Sequence, residues 1–184
     1  MSDWEGSASE TVAGDDFDDS YVLSETVLET YLTNDPRAAA IALKAASAAI
    51  QSWYCKEATR TIDALPLRGR KYQRDGTQAL QFPREYQTPN GWWPDTNEAD
   101  GSVEVPQAVI DACCEEAIAI YDRETTSTDR KARSDLIRQG VIHVTYSTTS
   151  ETYAPGSADR LKGLESKRAY DLLAKYILRS APIV

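Results

Sequence analysis

Hydrophobic positions fall at helical spacing in four stretches of the chain and at alternate positions in one. Val27, Leu28, Tyr31 and Leu32 share one face of a short helix. Ser24 precedes it as an N-cap, and Glu25 sets a negative charge in the first turn, where the helix dipole favours it. The helix is expected to end near Thr33. Asn34-Asp35-Pro36 signals a new start, with Asp35 as N-cap and Pro36 in the first turn. The alanine-rich run that follows is the strongest helical pattern, with Ala42, Ala46, Ala49, Ile50 and Trp53 on one stripe. Alanine offers little area, so Ile50, Trp53 and Tyr54 are expected to supply much of the burial. This helix should reach residues 61–63 before Pro66 stops it.

Val105-Pro106 opens the third helix, whose stripe is Val109, Ala112, Cys113, Glu116, Ala117 and Ile120. It is expected to end near Arg123 and to pack on the alanine-rich helix. Glu115-Glu116 reads as solvated charge, and residues 124–133 as a polar linker. The period then changes to two over residues 135–146. Val141, His143 and Thr145 alternate with Ile142, Val144 and Tyr146, a strand pattern. Leu136-Ile137 is expected to begin its partner strand, with the turn at Gln139-Gly140. Ser147–Ser157 reads as a loop. Ala169, Leu172, Leu173, Tyr176 and Ile177 mark the last helix, followed by an apolar tail.

These elements predict a mainly α fold. It is a small four-helix bundle, with a β-hairpin or strand between the third and last helices. A long irregular loop, residues 64–105, separates the second and third. Residues 1–19 form an acidic flexible arm, 20–179 one helical domain and 180–184 a C-terminal tail. Tyr21-Val22-Leu23 is the first anchored piece.

Charge divides the chain sharply. Its 184 residues carry a net charge of −9, yet residues 1–29 hold nine acids and no base, leaving 20 acids against 20 bases in the rest. An acidic total argues against sequence-independent nucleic-acid binding, which needs net positive potential. Bases do gather between residues 56 and 84, with Tyr72, Phe82 and Tyr86 among them. Arg68, Arg70, Lys71 and Arg74 could meet single-stranded DNA, since arginines and aromatic rings together suit stacked bases. The reading preferred here is a basic face meeting an acidic partner. Trp92-Trp93 follows in the same stretch, and two adjacent indoles call for a surface to bury them.

Catalytic chemistry finds little support. The one histidine, His143, has no nucleophile motif beside it, and no phosphate-binding glycine loop occurs. Asp95–Gly101 departs from a calcium loop at its fifth position, its glycine and its closing acid. Cys55, Cys113 and Cys114 fit neither a disulfide framework nor a zinc site and read as buried thiols. No apolar run is long enough to span a bilayer, and the acidic N-terminus is unlike a signal peptide. A soluble, non-enzymatic protein without cofactor or metal is expected.

The order of several motifs resembles the phage head–tail connector adaptor family, some of whose members are labelled DnaT-like single-stranded DNA-binding proteins. The matching residues are Asp19–Ser24, Ala58–Asp63, Leu67–Arg70, Gln78–Arg84, Val105–Val109 and Gly140–Tyr146. The resemblance spans about residues 15–179. It implies a homo-oligomeric ring of about twelve copies beneath the phage portal protein. That ring would join the portal to a stopper or tail-terminator protein in the virion, with DNA passing through its lumen without sequence readout. It further implies portal contacts from Leu172, Leu173, Tyr176, Ile177, Leu178, Ile183 and Val184. Contacts between subunits or with a partner would come from Phe82, Arg84, Tyr86, Trp92, Trp93, Val141, Val144 and Tyr146. The long acidic arm and the Trp pair are departures from the shorter pattern. The alternative is a cytoplasmic single-stranded DNA-binding accessory protein of the DnaT-like kind.

Overall fold

The first helical pattern forms as spaced: α1 spans Glu25–Leu32, and the Ser24 hydroxyl accepts from the Val27 N–H at 3.4 Å. A computed structural model describes residues 17–73, 76–96, 101–125, 143–146, 149–152 and 163–178, the two segments between 143 and 152 as backbone only. The acidic arm ends earlier than expected. Phe17 lies in the core with Tyr21 and Val22, and Thr59 Oγ1 accepts from the Tyr21 N–H at 3.2 Å.

The alanine-rich run is two helices, not one: α2 at Ala38–Lys44 and α3 at Ala48–Asp63. Gln51 explains the break. Its buried side-chain amide donates to the carbonyls of Leu43 and Lys44 at 3.1 Å and of Ala46 at 3.3 Å, closing the end of α2. Because the run does not continue, its buried face rotates. Tyr54, Cys55, Ala58 and Ile62 enter the core, whereas Ala42, Ala49, Ile50 and Trp53 are exposed, Trp53 by 47%. The expected stripe is therefore corrected. Asp35 is not the N-cap either; Arg37 is, and Asp35 Oδ1 accepts the Arg37 N–H at 2.9 Å.

The third helical pattern is α4, Gln107–Thr125, which packs on α3 as expected, and also on α2 and on α5, Lys167–Leu173. Glu115 and Glu116 are not solvated charge. Both are essentially fully buried. Glu115 accepts from the Tyr31 hydroxyl at 2.8 Å and from Arg37 at 2.8 and 2.9 Å, and it pairs with Arg168 at 3.1 Å. Glu116 accepts the N–H groups of Glu165 at 2.7 Å and Ser166 at 2.9 Å, at the mouth of α5. A carboxylate there meets donors that a helix start leaves unpaired.

The long stretch between α3 and α4 is not irregular throughout. It holds an antiparallel sheet of β1 (Arg70–Lys71), β2 (Arg84–Thr88) and β3 (Gly91–Pro94), in that order. A second hairpin pairs β4 (His143–Tyr146) with β5 (Thr149–Thr152). Its partner strand thus comes from the expected Ser/Thr loop. The turn predicted at Gln139-Gly140 and its strand at Leu136-Ile137 lie outside the described residues. Five helices and these two sheets make a mixed architecture among the described residues, rather than the four-helix bundle expected. No helix among them is long and apolar enough to cross a membrane.

Candidate functional site

The sheet is tied to the bundle by the chain's C-terminal segment. Arg68 N–H donates to the Tyr176 carbonyl and Leu178 N–H to the Pro66 carbonyl, both at 2.7 Å, and Leu67 pairs with Ile177. Gly69 follows at φ +73°. A Cβ there would lie 2.3 Å from the Glu85 carbonyl, so glycine is required where β1 meets β2. Pro89-Asn90 forms the tight turn joining β2 to β3, since Thr88 pairs with Gly91. Cross-strand pairing and alternation set one face as Arg70, Glu85, Gln87 and Trp92, and the other as Lys71, Arg84, Tyr86 and Trp93.

The bases of this stretch are largely spent on the fold itself. Arg84 is buried and its guanidinium donates to the Arg68 carbonyl at 2.7 Å, the Gly69 carbonyl at 2.9 Å and Gln81 Oε1 at 2.7 Å. A longer bond, 3.3 Å, reaches the Gln81 carbonyl. Lys71 Nζ donates to the carbonyls of Gln78 at 3.0 Å and Ala79 at 2.8 Å. Arg70 pairs with Glu85 at 2.5 Å while lying 3.5 Å above the Trp92 ring. Arg68 is exposed and donates to the Lys175 carbonyl at 3.2 Å. Arg74 lies outside the described residues.

Beneath the sheet, carboxylates and phenols hold backbone. Tyr21 Oη donates to Asp63 and accepts the N–H groups of Gln81 at 3.1 Å and Phe82 at 3.2 Å. Asp95 Oδ2 accepts the Arg84 N–H at 3.0 Å and the Tyr86 hydroxyl at 3.1 Å. Burial pushes both carboxyls above their ordinary value, and these hydrogen bonds pull the other way. Burial likewise raises the Tyr21 and Tyr86 hydroxyls, which therefore stay protonated donors.

The residues expected at contacts divide in two. Phe82 and Arg84 are buried; Phe82 meets Tyr21 and Tyr176 edge-on at 5.8 and 5.2 Å. Tyr86 is half-buried against Tyr176. Trp92 and Trp93 stand out, at 39% and 60% exposure. Of the proposed portal residues, Leu173, Tyr176 and Ile177 belong to the protein's own core and Leu172 is half-buried against it. Leu178 is exposed. Ile183, Val184 and Val141 lie outside the described residues, and Val144 and Tyr146 are placed on β4 by backbone alone.

The site thus offers aromatic rings on a braced hairpin and one stacked arginine. The three thiols stay inside: Cys55, Cys113 and Cys114 are buried and free, with burial pushing Cys113 up to about 11 and the other two well above the ordinary thiol range. No group of three or more metal-ligating side chains occurs among the described residues. Sequence reasoning missed the buried pair Glu115 and Glu116. Its one signal was that Glu116 falls within the apolar stripe of α4.

Residues 10–181 match the family described as putative DnaT-like ssDNA binding protein. No curated protein and no solved structure matches the chain.

Proposed function

We propose that this chain, which belongs to the DnaT-like ssDNA binding family, works as a non-enzymatic adaptor that assembles with copies of itself. In this reading it forms a ring beneath a phage portal protein and links it to a stopper or tail protein, with DNA sliding through the lumen. One observation carries the preference for assembly over nucleic-acid binding. Arg84, Lys71 and Arg70 are committed to carbonyls and to Glu85, while the exposed surface presents Ile41, Ile50, Trp53, Trp92 and Trp93. Exposed aromatic rings beside cations already bonded within the fold suit a protein partner better than a phosphate backbone.

A second reading rests on the stack of Arg70 on Trp92 beside exposed Trp93. Bases can stack on such rings, and the family's description names single-stranded DNA. The two readings part in one experiment. The mass of the protein is measured with a cognate portal ring, and the anisotropy of a labelled oligothymidylate is measured in parallel. Joining the portal in a fixed multiple supports the adaptor. Indifference to the portal, with oligothymidylate binding that Trp92→Ala and Trp93→Ala abolish, overturns it for the second reading.

A further inference from the structure

We propose that the tip of the β2–β3 hairpin enters the headgroup layer of a bilayer of neutral, zwitterionic lipid and holds the chain reversibly to that surface. This goes beyond the assembly reading and does not rest on it, since Ile41, Ile50 and Trp53 stand on other elements.

The two indoles lie on opposite faces of one strand. Trp92 pairs with Gln87 and Trp93 with Tyr86, so the pleat turns Trp92 to the face of Arg70 and Trp93 to the face of Tyr86. Both are exposed, by 39% and 60%. A flat protein surface covers one face of a hairpin and leaves the other in water. A fluid interface closes around a tip from both sides, so it removes both rings from water at once. An indole has an apolar ring and an N–H that needs an acceptor, which suits it to the layer where acyl chains meet headgroups.

Charge marks how far the hairpin can enter. None of residues 86–94 is charged. At the base, Glu85 pairs with Arg70, and Asp95 accepts from the Tyr86 hydroxyl and the Arg84 N–H. From the Glu85–Pro94 pair to the Thr88–Gly91 pair the register runs three residue steps, about 10 Å at about 3.3 Å per step. Interfacial segments reach a depth of about 5–10 Å. The uncharged part therefore matches this layer, and the charged base stays outside it. The tip is also preformed. Thr88 Oγ1 donates to the Gly91 carbonyl at 3.0 Å and accepts the Asn90 N–H at 3.3 Å, so little freedom is lost on entering.

The net charge of −9 selects the lipid. Anionic headgroups repel the chain as a whole, and holding them takes clustered cations. At the hairpin, Arg70 is already paired with Glu85. A choline or ethanolamine headgroup carries no net charge, and its ammonium fits the face of an indole. Two indoles make one weak anchor, so the attachment is reversible.

The test is flotation of the full chain with phosphatidylcholine vesicles, lipid in excess. The parent chain is expected to float with the vesicles. Trp92→Ala and Trp93→Ala should each lower the partition coefficient by about tenfold, the effect of leaving a large apolar side chain roughly half in water. Asn90→Asp keeps a turn-forming residue and sets a charge at the leading end, so it should release the chain while its unfolding midpoint in urea matches the parent's. Trp53→Ala, on α3, should float as the parent does. Replacing part of the lipid by phosphatidylglycerol should weaken flotation at low salt. A parent chain that stays in solution, a loss confined to one of the two hairpin tryptophans, an equal loss in Trp53→Ala, or binding that phosphatidylglycerol strengthens overturns the proposal. If the parent ignores the vesicles but joins the portal in a fixed multiple, the lipid contact falls and the adaptor reading stands. If it floats as described but joins no portal, the reverse holds.

Discussion

Replacing Arg84 by methionine tests whether the basic stretch serves the fold or a ligand. Methionine keeps most of the aliphatic volume and removes the guanidinium, which donates to the carbonyls of Arg68, Gly69 and Gln81 and to Gln81 Oε1. Hydrogen bonds from a charged donor contribute about 1.5–3 kcal/mol each. Arg68 and Gly69 are exposed residues whose carbonyls can rehydrate, and the Gln81 side chain can turn toward water. That discount brings the expected loss to about 3 kcal/mol rather than the sum of four bonds. At a slope of about 2 kcal/mol per molar urea, the unfolding midpoint should fall by about 1.5 M. Lysine at the same place can satisfy some of these acceptors but not the planar fork, so Arg84→Lys should lose about half as much. Arg68→Met, which removes one long bond at the surface, should cost less than about 0.5 kcal/mol. Tryptophan fluorescence in a urea titration reads all three. A midpoint shift for Arg84→Met below about 0.3 M would refute the structural role and return this arginine to the list of ligand contacts.

Three other outcomes follow from the buried polar groups. Glu116→Gln keeps the shape but weakens the acceptor of the Glu165 and Ser166 N–H groups; it should cost about 1.5–3 kcal/mol, with early loss of amide protection in α5, and unchanged protection there would contradict the lock. The three thiols, buried and held protonated, should resist iodoacetamide at pH 7.5 in the folded protein and react fully in urea; rapid labelling of the native chain would show the core to be open. Asp63 is held above 3.8 chiefly by burial, so the folded chain takes up its proton more readily than the unfolded chain and loses stability as pH rises through the folded pKa. In Asp63→Asn that loss disappears, and the stability of the variant relative to the parent should increase between pH 4 and pH 7; a difference that stays constant with pH would count against it.

The helices were legible where local chemistry decides them. The Ser24 cap, the end of α3 before Pro66 and the packing stripe of α4 depend on spacing and on termini, and spacing is visible in one dimension. The break between α2 and α3 was not legible, because its cause is one glutamine side chain folding back seven residues or so onto the carbonyls of Leu43 and Lys44. Nothing in an alanine run signals a stop. Once the run breaks, the later helix is free to rotate, and Ile50 and Trp53 change from expected core to surface. The sheet between α3 and α4 was hidden for a different reason. Its strands are two, five and four residues long, too short for a period to register, and β1 is defined only by a partner fourteen or so residues away.

Charge was the least legible property of all. Seven bases gathered in residues 56–84 suggest a basic face, but composition does not say what each cation touches. A sheet of short strands leaves carbonyls at its ends that no strand satisfies, and a chain burying such ends needs donors that reach several acceptors at once. Arg84 and Lys71 are those donors. The same reasoning inverts the reading of Glu115 and Glu116. Two adjacent acids on a helix look like solvent-facing charge, yet they meet Arg37, Arg168 and the start of α5 from the inside. Counted as surface, these groups would predict a basic patch and an acidic ridge. Counted where they lie, they remove both, and what stands out for a partner at the sheet is aromatic: Trp92 under its arginine on one face and Trp93 open on the other.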